Sequence, residues 1–286
     1  MSSTQPRPSK AQRRDEARAA AAAMREEQQR QARRQRTIVI TLLVVGLLVV
    51  GGVVWWILSM GQDSARDDFA DVEDPLATVS APATANDEGG IVVGEDGEAG
   101  AGEVPDDAVV VTVYADFMCP VCGQFEQVNG AELDELREAG EIVVEYRPVS
   151  ILDRLAQGTR YSTRSATASA LVADQAPEAF LGFHQALFAS QPAEGTAGLP
   201  DEQIAELAEA AGVPQDVAAT IADGSYMEGE DSFSAWVAAA TEQASRDFAP
   251  QFGTPTILLD GENLSDLNVN WTVPGALADA IEQARG

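Results

Sequence analysis

The hydrophobic positions of this chain form two different patterns. Residues 37–60 are one unbroken apolar stretch, whereas 89–286 alternate between short β-branched runs and segments with apolar residues at helical spacing. Short apolar runs bounded by turn residues predict strands at 91–93, 109–114, 142–146 and 256–259. Helices are predicted after residue 119, near 158–175, 177–190, 200–211 and 226–248, and from residue 272 onward.

The order of these elements predicts an α/β fold. The strand at 109–114 leads into a helix, and the strand at 142–146 is expected to lie parallel to it, with that helix as the crossover. Residues 150–250 are rich in alanine and carry no convincing strand, so they are predicted to form a helical insertion. The sequence therefore predicts one sheet domain over 89–286, interrupted by helices.

The apolar stretch 37–60 contains no charged residue and exceeds the roughly 20 apolar residues that a membrane-spanning helix needs. Trp55 and Trp56 lie near its end, where indole rings favour the membrane interface. A cleavable signal peptide is the competing interpretation, but its apolar region is usually shorter, and no clear small-residue cleavage site follows here. A buried core helix is the plain alternative, but the length and all-round apolarity of this stretch favour a membrane span. An uncleaved transmembrane helix is therefore predicted.

The net charge of −28 is divided at this stretch. Residues 1–36 carry ten basic and four acidic residues, whereas 61–286 carry 8 basic and 42 acidic residues. The positive-inside rule places the basic side in the cytoplasm and the acidic side beyond the membrane. Residues 1–36 are thus predicted to be a cytoplasmic basic tail, and 61–88 an acidic flexible linker. The acidity argues against nucleic-acid binding, which needs clustered Lys and Arg.

The chain has only two cysteines, Cys119 and Cys122, which lie between a predicted strand and a predicted helix. Both sulfurs fall on one helical turn, and a thiol at a helix N-terminus has a lowered pKa. Structural zinc needs four ligands, and c-type haem needs a histidine directly after the second cysteine, where Gly123 lies. A static disulfide is the plain alternative, although closing so short a loop adds little stability. A redox pair without cofactor or metal is favoured, with Cys119 as nucleophile and Cys122 as resolving thiol.

A Thr-Pro pair directly before the strand at 256–259 gains meaning beside the cysteine motif. The chain resembles the DsbA-like branch of the thioredoxin superfamily in four segments, Tyr114–Phe125, Tyr146–Pro148, Phe183–Phe188 and Gly253–Thr256. The resemblance covers about residues 89–286 and looks closest to membrane-anchored, exported members from actinobacteria. It implies a thioredoxin fold with a helical insertion, preceded here by the single transmembrane helix.

The resemblance also implies roles for individual residues. Thr254 and Pro255, joined by a cis peptide bond, are expected to line a groove for extended thiol substrates beside the cysteines. Pro120 and Val121 complete the active-site motif. The best-known oxidases carry a histidine at the position of Val121, where it stabilises the thiolate. Asp116 is a candidate for proton transfer, although a solvated acid at the strand end is slightly favoured for it.

The expected activity is extracytoplasmic thiol-disulfide exchange through a mixed disulfide on Cys119. The leading hypothesis is a dithiol oxidase that introduces disulfides into exported cysteine-containing proteins. Such an oxidase needs an electron acceptor, and a quinone-linked membrane partner is expected to reoxidise it. A disulfide reductase or isomerase is the alternative enzyme. A tethered binding or chaperone module with a structural disulfide is the alternative outside enzymes.

Overall fold

The computed structural model describes residues 68–100, 104–105, 108–229 and 231–286. The predicted basic tail at 1–36 and the predicted transmembrane helix at 37–60 lie outside these residues. Within the described ranges, no helix is both long enough and apolar enough to cross a membrane.

One sheet of five strands is formed by the described residues: β1 Ile91–Val93, β2 Val109–Ala115, β3 Ile142–Pro148, β4 Thr256–Leu259 and β5 Glu262–Asn263. The strand order is β1-β3-β2-β4-β5, and β2 pairs with β3 in parallel while the other neighbours are antiparallel. The central strand β2 is buried at nearly every position, as its β-branched run predicts. All four strands predicted from apolar runs are therefore present, and β2 and β3 extend slightly further.

Seven helices accompany the sheet within the described ranges: α1 Pro120–Glu138, α2 Tyr161–Gln175, α3 Phe180–Ala189, α4 Asp201–Ala210, α5 Gln215–Ala222, α6 Ser234–Asp247 and α7 Ala276–Arg285. Helix α1 connects β2 to β3, and α2 to α6 form the predicted insertion between β3 and β4. Sequence reasoning missed the short helix α5. It also placed the starts of α6 and α7 too early, because turns and a 3-10 helix precede them.

The insertion packs around α2, which contacts α3, α4 and α6. Most residues of α2 are buried although many are Ala, Ser or Thr, whose small side chains let neighbouring helices approach closely. Trp236 on α6 and Phe233 just before it are buried in the core. The insertion thus has an interior that is continuous with the hydrophobic core of the sheet.

Strand directions bring three separate segments to one edge of the sheet. Strands β2 and β3 are parallel, so both end at this edge, at Ala115 and Pro148. Strand β4 is antiparallel to β2 and therefore begins there, at Thr256. The chain after β2, the chain after β3 and the chain before β4 consequently meet at this edge.

Residues 68–88 differ from the flexible linker predicted for 61–88, because this described part lies against the domain. The guanidinium group of Arg246 on α6 donates hydrogen bonds to the backbone carbonyls of Phe69, Ala70 and Val72. Leu76 packs against Gly89 at the start of the sheet region. The composition misled the prediction because backbone carbonyls, which every residue has, make the main contacts.

Candidate active site

The loop after β2 enters α1 at Cys119, which is the N-cap residue of that helix. Its amide donates to the Asp116 carbonyl at 2.9 Å, and its carbonyl accepts from the Cys122 amide at 3.0 Å. Pro120 is the first helical residue, where a missing N–H leaves no hydrogen bond unmade. Both cysteines are free thiols, with Cys119 6% and Cys122 1% exposed. Val121 between them is 45% exposed.

The structure brings the Thr-Pro pair to the cysteines. The peptide bond between Thr254 and Pro255 is cis. The Cys119 thiol donates a hydrogen bond to the Thr254 carbonyl, with 3.2 Å between sulfur and oxygen. The two motifs lie 135 residues apart in the sequence, and they meet because β2 ends where β4 begins.

The surroundings of the two sulfurs drive their pKa values apart. The pKa of Cys119 is lowered to about 6, first by a hydrogen bond with the Cys122 thiol. The Thr254 side chain and the backbone amides of Cys122 and Val121 act in the same direction, against partial burial. Burial raises the pKa of Cys122 far above its ordinary value, and the Cys119 sulfur raises it further. Cys119 is therefore the thiolate at neutral pH, while Cys122 keeps its proton.

A sequence profile described as thioredoxin matches residues 102–274. This range covers more than half of the chain and includes both cysteines and the Thr254–Pro255 pair. The chain belongs to the thioredoxin family.

Two solved thioredoxin-fold structures show how far the likeness extends. Oxidized DsbA of Mycobacterium tuberculosis is 32% identical over 69% of this chain and 93% of its own, with a TM-score of 0.49. MdbA of Actinomyces oris, a thiol-disulfide oxidoreductase, is 23% identical over 75% of this chain and 94% of its own, with a TM-score of 0.54. The second likeness concerns the fold. The matching profile confirms the predicted family at the level of thioredoxin, and the described elements confirm the α/β fold with added helices.

One curated relative is the serine/threonine-protein kinase PknE of Mycobacterium tuberculosis. It is 30% identical over 121 residues, which make up 41% of this chain and 21% of the kinase. This chain therefore spans about a fifth of the length of the kinase.

Asp116 is fully buried, so the slightly favoured interpretation of a solvated strand-end acid is wrong. One carboxylate oxygen accepts a hydrogen bond from the Met118 amide at 2.8 Å. The other accepts from the amides of Ile151 and Leu152 at 2.9 and 3.0 Å. Burial raises the pKa of Asp116 to about 6. Asp116 is buried because the chain after β3 folds over the loop after β2. The backbone amide of Asp116 also hydrogen-bonds with Cys122.

Gln191 is a residue of the site that sequence reasoning missed. It lies just after α3, and its Nε2 donates to the carbonyls of Phe117 at 3.0 Å and Cys119 at 2.9 Å. Its Oε1 is so close to Gly123 that a Cβ atom on that glycine would lie 2.4 Å away. No local pattern around residue 191 signals these contacts, because they depend on how the insertion packs over the cysteine loop.

His184, the only histidine of the sequence, is buried among aromatic side chains. Its Nε2 lies 3.2 Å from Oε1 of Glu126, and its ring packs against Phe117 and Tyr146. Across the part of the chain that the structure describes, no group of three or more His, Cys, Asp or Glu residues is arranged to hold a metal ion.

Proposed function

We propose that the chain is an extracytoplasmic thiol-disulfide oxidoreductase whose main direction is the oxidation of dithiols in exported proteins. The observation that carries this proposal is the position of Cys119 Sγ at the N-terminus of α1, where the backbone amides of Val121 and Cys122 stabilise its thiolate, with Cys122 buried behind it. A stabilised thiolate is a good leaving group. Stabilising the reduced form in this way also makes the disulfide form a stronger oxidant.

The reaction begins with the protein oxidised, so that Cys119 and Cys122 share a disulfide. A substrate thiolate attacks Cys119 Sγ, the S–S bond breaks, and Cys122 leaves and takes up a proton. A second substrate thiolate attacks the substrate sulfur of the mixed disulfide and releases the Cys119 thiolate. The substrate gains one disulfide and gives two electrons to the cysteine pair. Of its two protons, one ends on Cys122 and the other in the solvent.

The residues around the sulfurs suit this exchange. Thr254 and Pro255 present backbone beside Cys119, so we assign them the groove that holds the substrate chain. We assign Asp116 to proton transfer at the cysteine pair, because its backbone amide hydrogen-bonds with Cys122 and its own buried carboxyl has a pKa raised to about 6. A carboxyl with that pKa is able both to give and to accept a proton near neutral pH.

The reduced cysteine pair must return its two electrons to an acceptor. We propose a quinone-linked membrane protein for this step, which exchanges disulfides with Cys119 and Cys122. The predicted transmembrane helix at 37–60 supports this assignment, because it would hold the site near the membrane on its outer side. Exported proteins with cysteines are the corresponding substrates.

Val121 favours a second candidate, a disulfide reductase or isomerase. Its side chain is exposed between the cysteines and cannot donate a hydrogen bond to the Cys119 thiolate. A histidine at this position, as in the best-known oxidases, would add positive charge near the sulfur. Less stabilisation of the thiolate makes the cysteine pair less oxidising, which suits the reverse direction.

The thiol state inside cells distinguishes these functions. Cells are acid-quenched and alkylated, and the fraction of Cys119 and Cys122 in a disulfide is read from the gel mobility of the protein. An oxidase is expected to be mostly disulfide-bonded, and Cys122→Ala is expected to accumulate mixed disulfides through Cys119. A membrane-impermeant maleimide added to intact, reduced cells is expected to label Cys119, because the site lies outside the cytoplasm.

The double variant Cys119→Ala/Cys122→Ala serves as the control and should form no mixed disulfides. A mostly reduced pair in the wild type would contradict the oxidase direction and support the reductase or isomerase. Absence of any mixed disulfide with Cys122→Ala would instead support a binding module with a structural disulfide.

A further inference from the structure

We propose that Gln191 is a positioning residue of the redox site, whose side-chain amide holds the turn before Cys119 so that the sulfur faces the N-terminus of α1. The inference rests on the proposed thiol chemistry of Cys119. It gives the helical insertion a direct part in that chemistry, because Gln191 belongs to the insertion and follows α3.

The contacts of Gln191 enclose the turn from both sides. Its single Nε2 group donates to the carbonyl of Phe117 at 3.0 Å and to the carbonyl of Cys119 at 2.9 Å, on either side of the buried Met118. The Cys119 carbonyl also accepts from the amides of Cys122 at 3.0 Å and Gly123 at 3.2 Å, which are the first hydrogen bonds of α1. Gln191 therefore fixes the carbonyl from which the helix starts.

Gly123 is the counterpart of Gln191 on the helix. A Cβ atom at this position would lie 2.4 Å from Oε1 of Gln191, a distance that real Cβ atoms essentially never show. Glycine weakens a helix interior relative to alanine, so its presence one residue after Cys122 calls for a reason. Room for the Gln191 amide supplies that reason.

Gln191 is held in place by contacts that do not involve the cysteines. Its backbone amide donates to the Phe188 carbonyl at 3.2 Å, and the preceding Ser190 amide donates to Ala186 at 3.0 Å. The Phe188 ring packs on Phe117 with 4.9 Å between centroids. Helix α3 also contacts α1 directly. The side chain therefore approaches the turn from a fixed base, as a positioning group requires.

Loosening this turn is expected to act on the thiol. The Cys119 thiolate is stabilised in part by the backbone amides of Val121 and Cys122, so their direction relative to the sulfur matters. Without Gln191, the turn gains freedom and these amides are aligned for less of the time. The pKa of Cys119 should then rise towards its ordinary value, and the thiolate fraction near neutral pH should fall.

The test measures alkylation of the reduced protein by iodoacetamide between pH 5 and pH 9. Gln191→Met keeps the length of the side chain but removes the donor. At pH 6 we expect alkylation of Cys119 to slow about fivefold, which corresponds to a rise of its pKa by about one unit. At pH 9 Cys119 is almost fully ionised in both proteins, so their alkylation rates should agree. Gln157→Met is the matched control, because Gln157 also donates to a distant backbone carbonyl, that of Gly195.

Gly123→Ala leaves Gln191 in the chain, so it keeps the test decisive even where Gln191→Met fails to fold. Gly123→Ala should displace the Gln191 amide and shift the pH profile in the same direction. The double variant Gly123→Ala/Gln191→Ala should be no slower at pH 6 than Gln191→Ala alone, because the clash and the lost contact concern the same group. Additive losses would contradict the assignment.

The outcomes separate this inference from the proposed function. Profiles of the Gln191 and Gly123 variants that coincide with the wild type would overturn the role of Gln191 and leave the function intact. A wild-type profile with no inflection near pH 6 would contradict the reactive thiolate itself, and with it both proposals. A shift at pH 6 that disappears at pH 9 supports the positioning role.

Discussion

The sheet region, made of β1 to β5 with α1 and α7, and the insertion, made of α2 to α6, are built from different side chains. Strand β2 is buried through a run of β-branched residues, which marks it plainly in the sequence. Helix α2 is equally buried but consists largely of Ala, Ser and Thr, which are as common on surfaces. The sheet region carries the cysteines, whereas the insertion supplies a group that contacts their loop. The extent of burial therefore does not decide whether the structure of a region can be predicted from its sequence.

The largest expected effect concerns Trp236 and tests how much the interior of the insertion contributes to the stability of the protein. Trp236 is 1% exposed, and its Nε1 has no hydrogen-bond partner among the described residues. Trp236→Ala should lower the free energy of unfolding by about 3–5 kcal/mol, because it leaves a large cavity. Urea denaturation followed by circular dichroism measures the change. Where Gln191 keeps its contacts with the cysteine loop, alkylation of Cys119 in the folded variant should stay as in the wild type.

Trp236→Phe is the control for that comparison. It keeps an aromatic ring and removes the unpartnered N–H, so its loss of stability should be clearly smaller than that of Trp236→Ala. Equal losses for both variants would show that the cavity is not the cause.

A smaller effect is expected at Asp116, where the two regions meet. Its pKa is raised from 3.8 to about 6 by burial, so the folded state favours the protonated form. The resulting stability is fully present below pH 3.8 and is lost as the pH rises through 6. Between pH 4 and pH 7.5, the wild type should therefore lose about 2–3 kcal/mol relative to Asp116→Asn. Unfolding by urea at several pH values measures the difference.

Asp279→Asn, at an exposed position of α7, is the reference substitution for that experiment. A stability difference between Asp116→Asn and the wild type that does not change with pH would contradict the raised pKa of the buried Asp116 carboxyl. The same result would remove the main support for proton transfer by Asp116 at the cysteine pair.

The smallest effect concerns Val121, which lies in the sheet region and is exposed beside the cysteines. Val121→His should stabilise the Cys119 thiolate and raise the reduction potential by about 30 mV, which corresponds to about 1.4 kcal/mol. Equilibration with glutathione redox buffers measures the potential. Gln124→His adds the same side chain one residue beyond Gly123 and should shift the potential less. Equal shifts would show that the position between the cysteines has no special influence.

The sheet region and the cysteine loop were predictable because their signals are local. The run of β-branched residues in β2, the cysteine spacing and Pro120 at the first helical position all fall within a few residues of each other. The insertion was predicted to be helical, but helix α5 was not, because its eight residues are too few to show a clear helical pattern. Residues 68–88 do not form the predicted flexible linker, because Arg246 binds their backbone carbonyls, which composition does not reveal.

The sequence by itself determined the strand-cysteine-helix unit, the Thr-Pro pair before the returning strand, and the charge division around the apolar stretch. Each is a property of neighbouring residues, expressed through backbone preference, helix capping or hydrophobicity. Only the tertiary structure decided that Asp116 is buried and that Gln191 reaches Cys119. These features depend on backbone amides and carbonyls from segments far apart in the chain. Every residue carries such groups, so no sequence pattern marks which of them will meet.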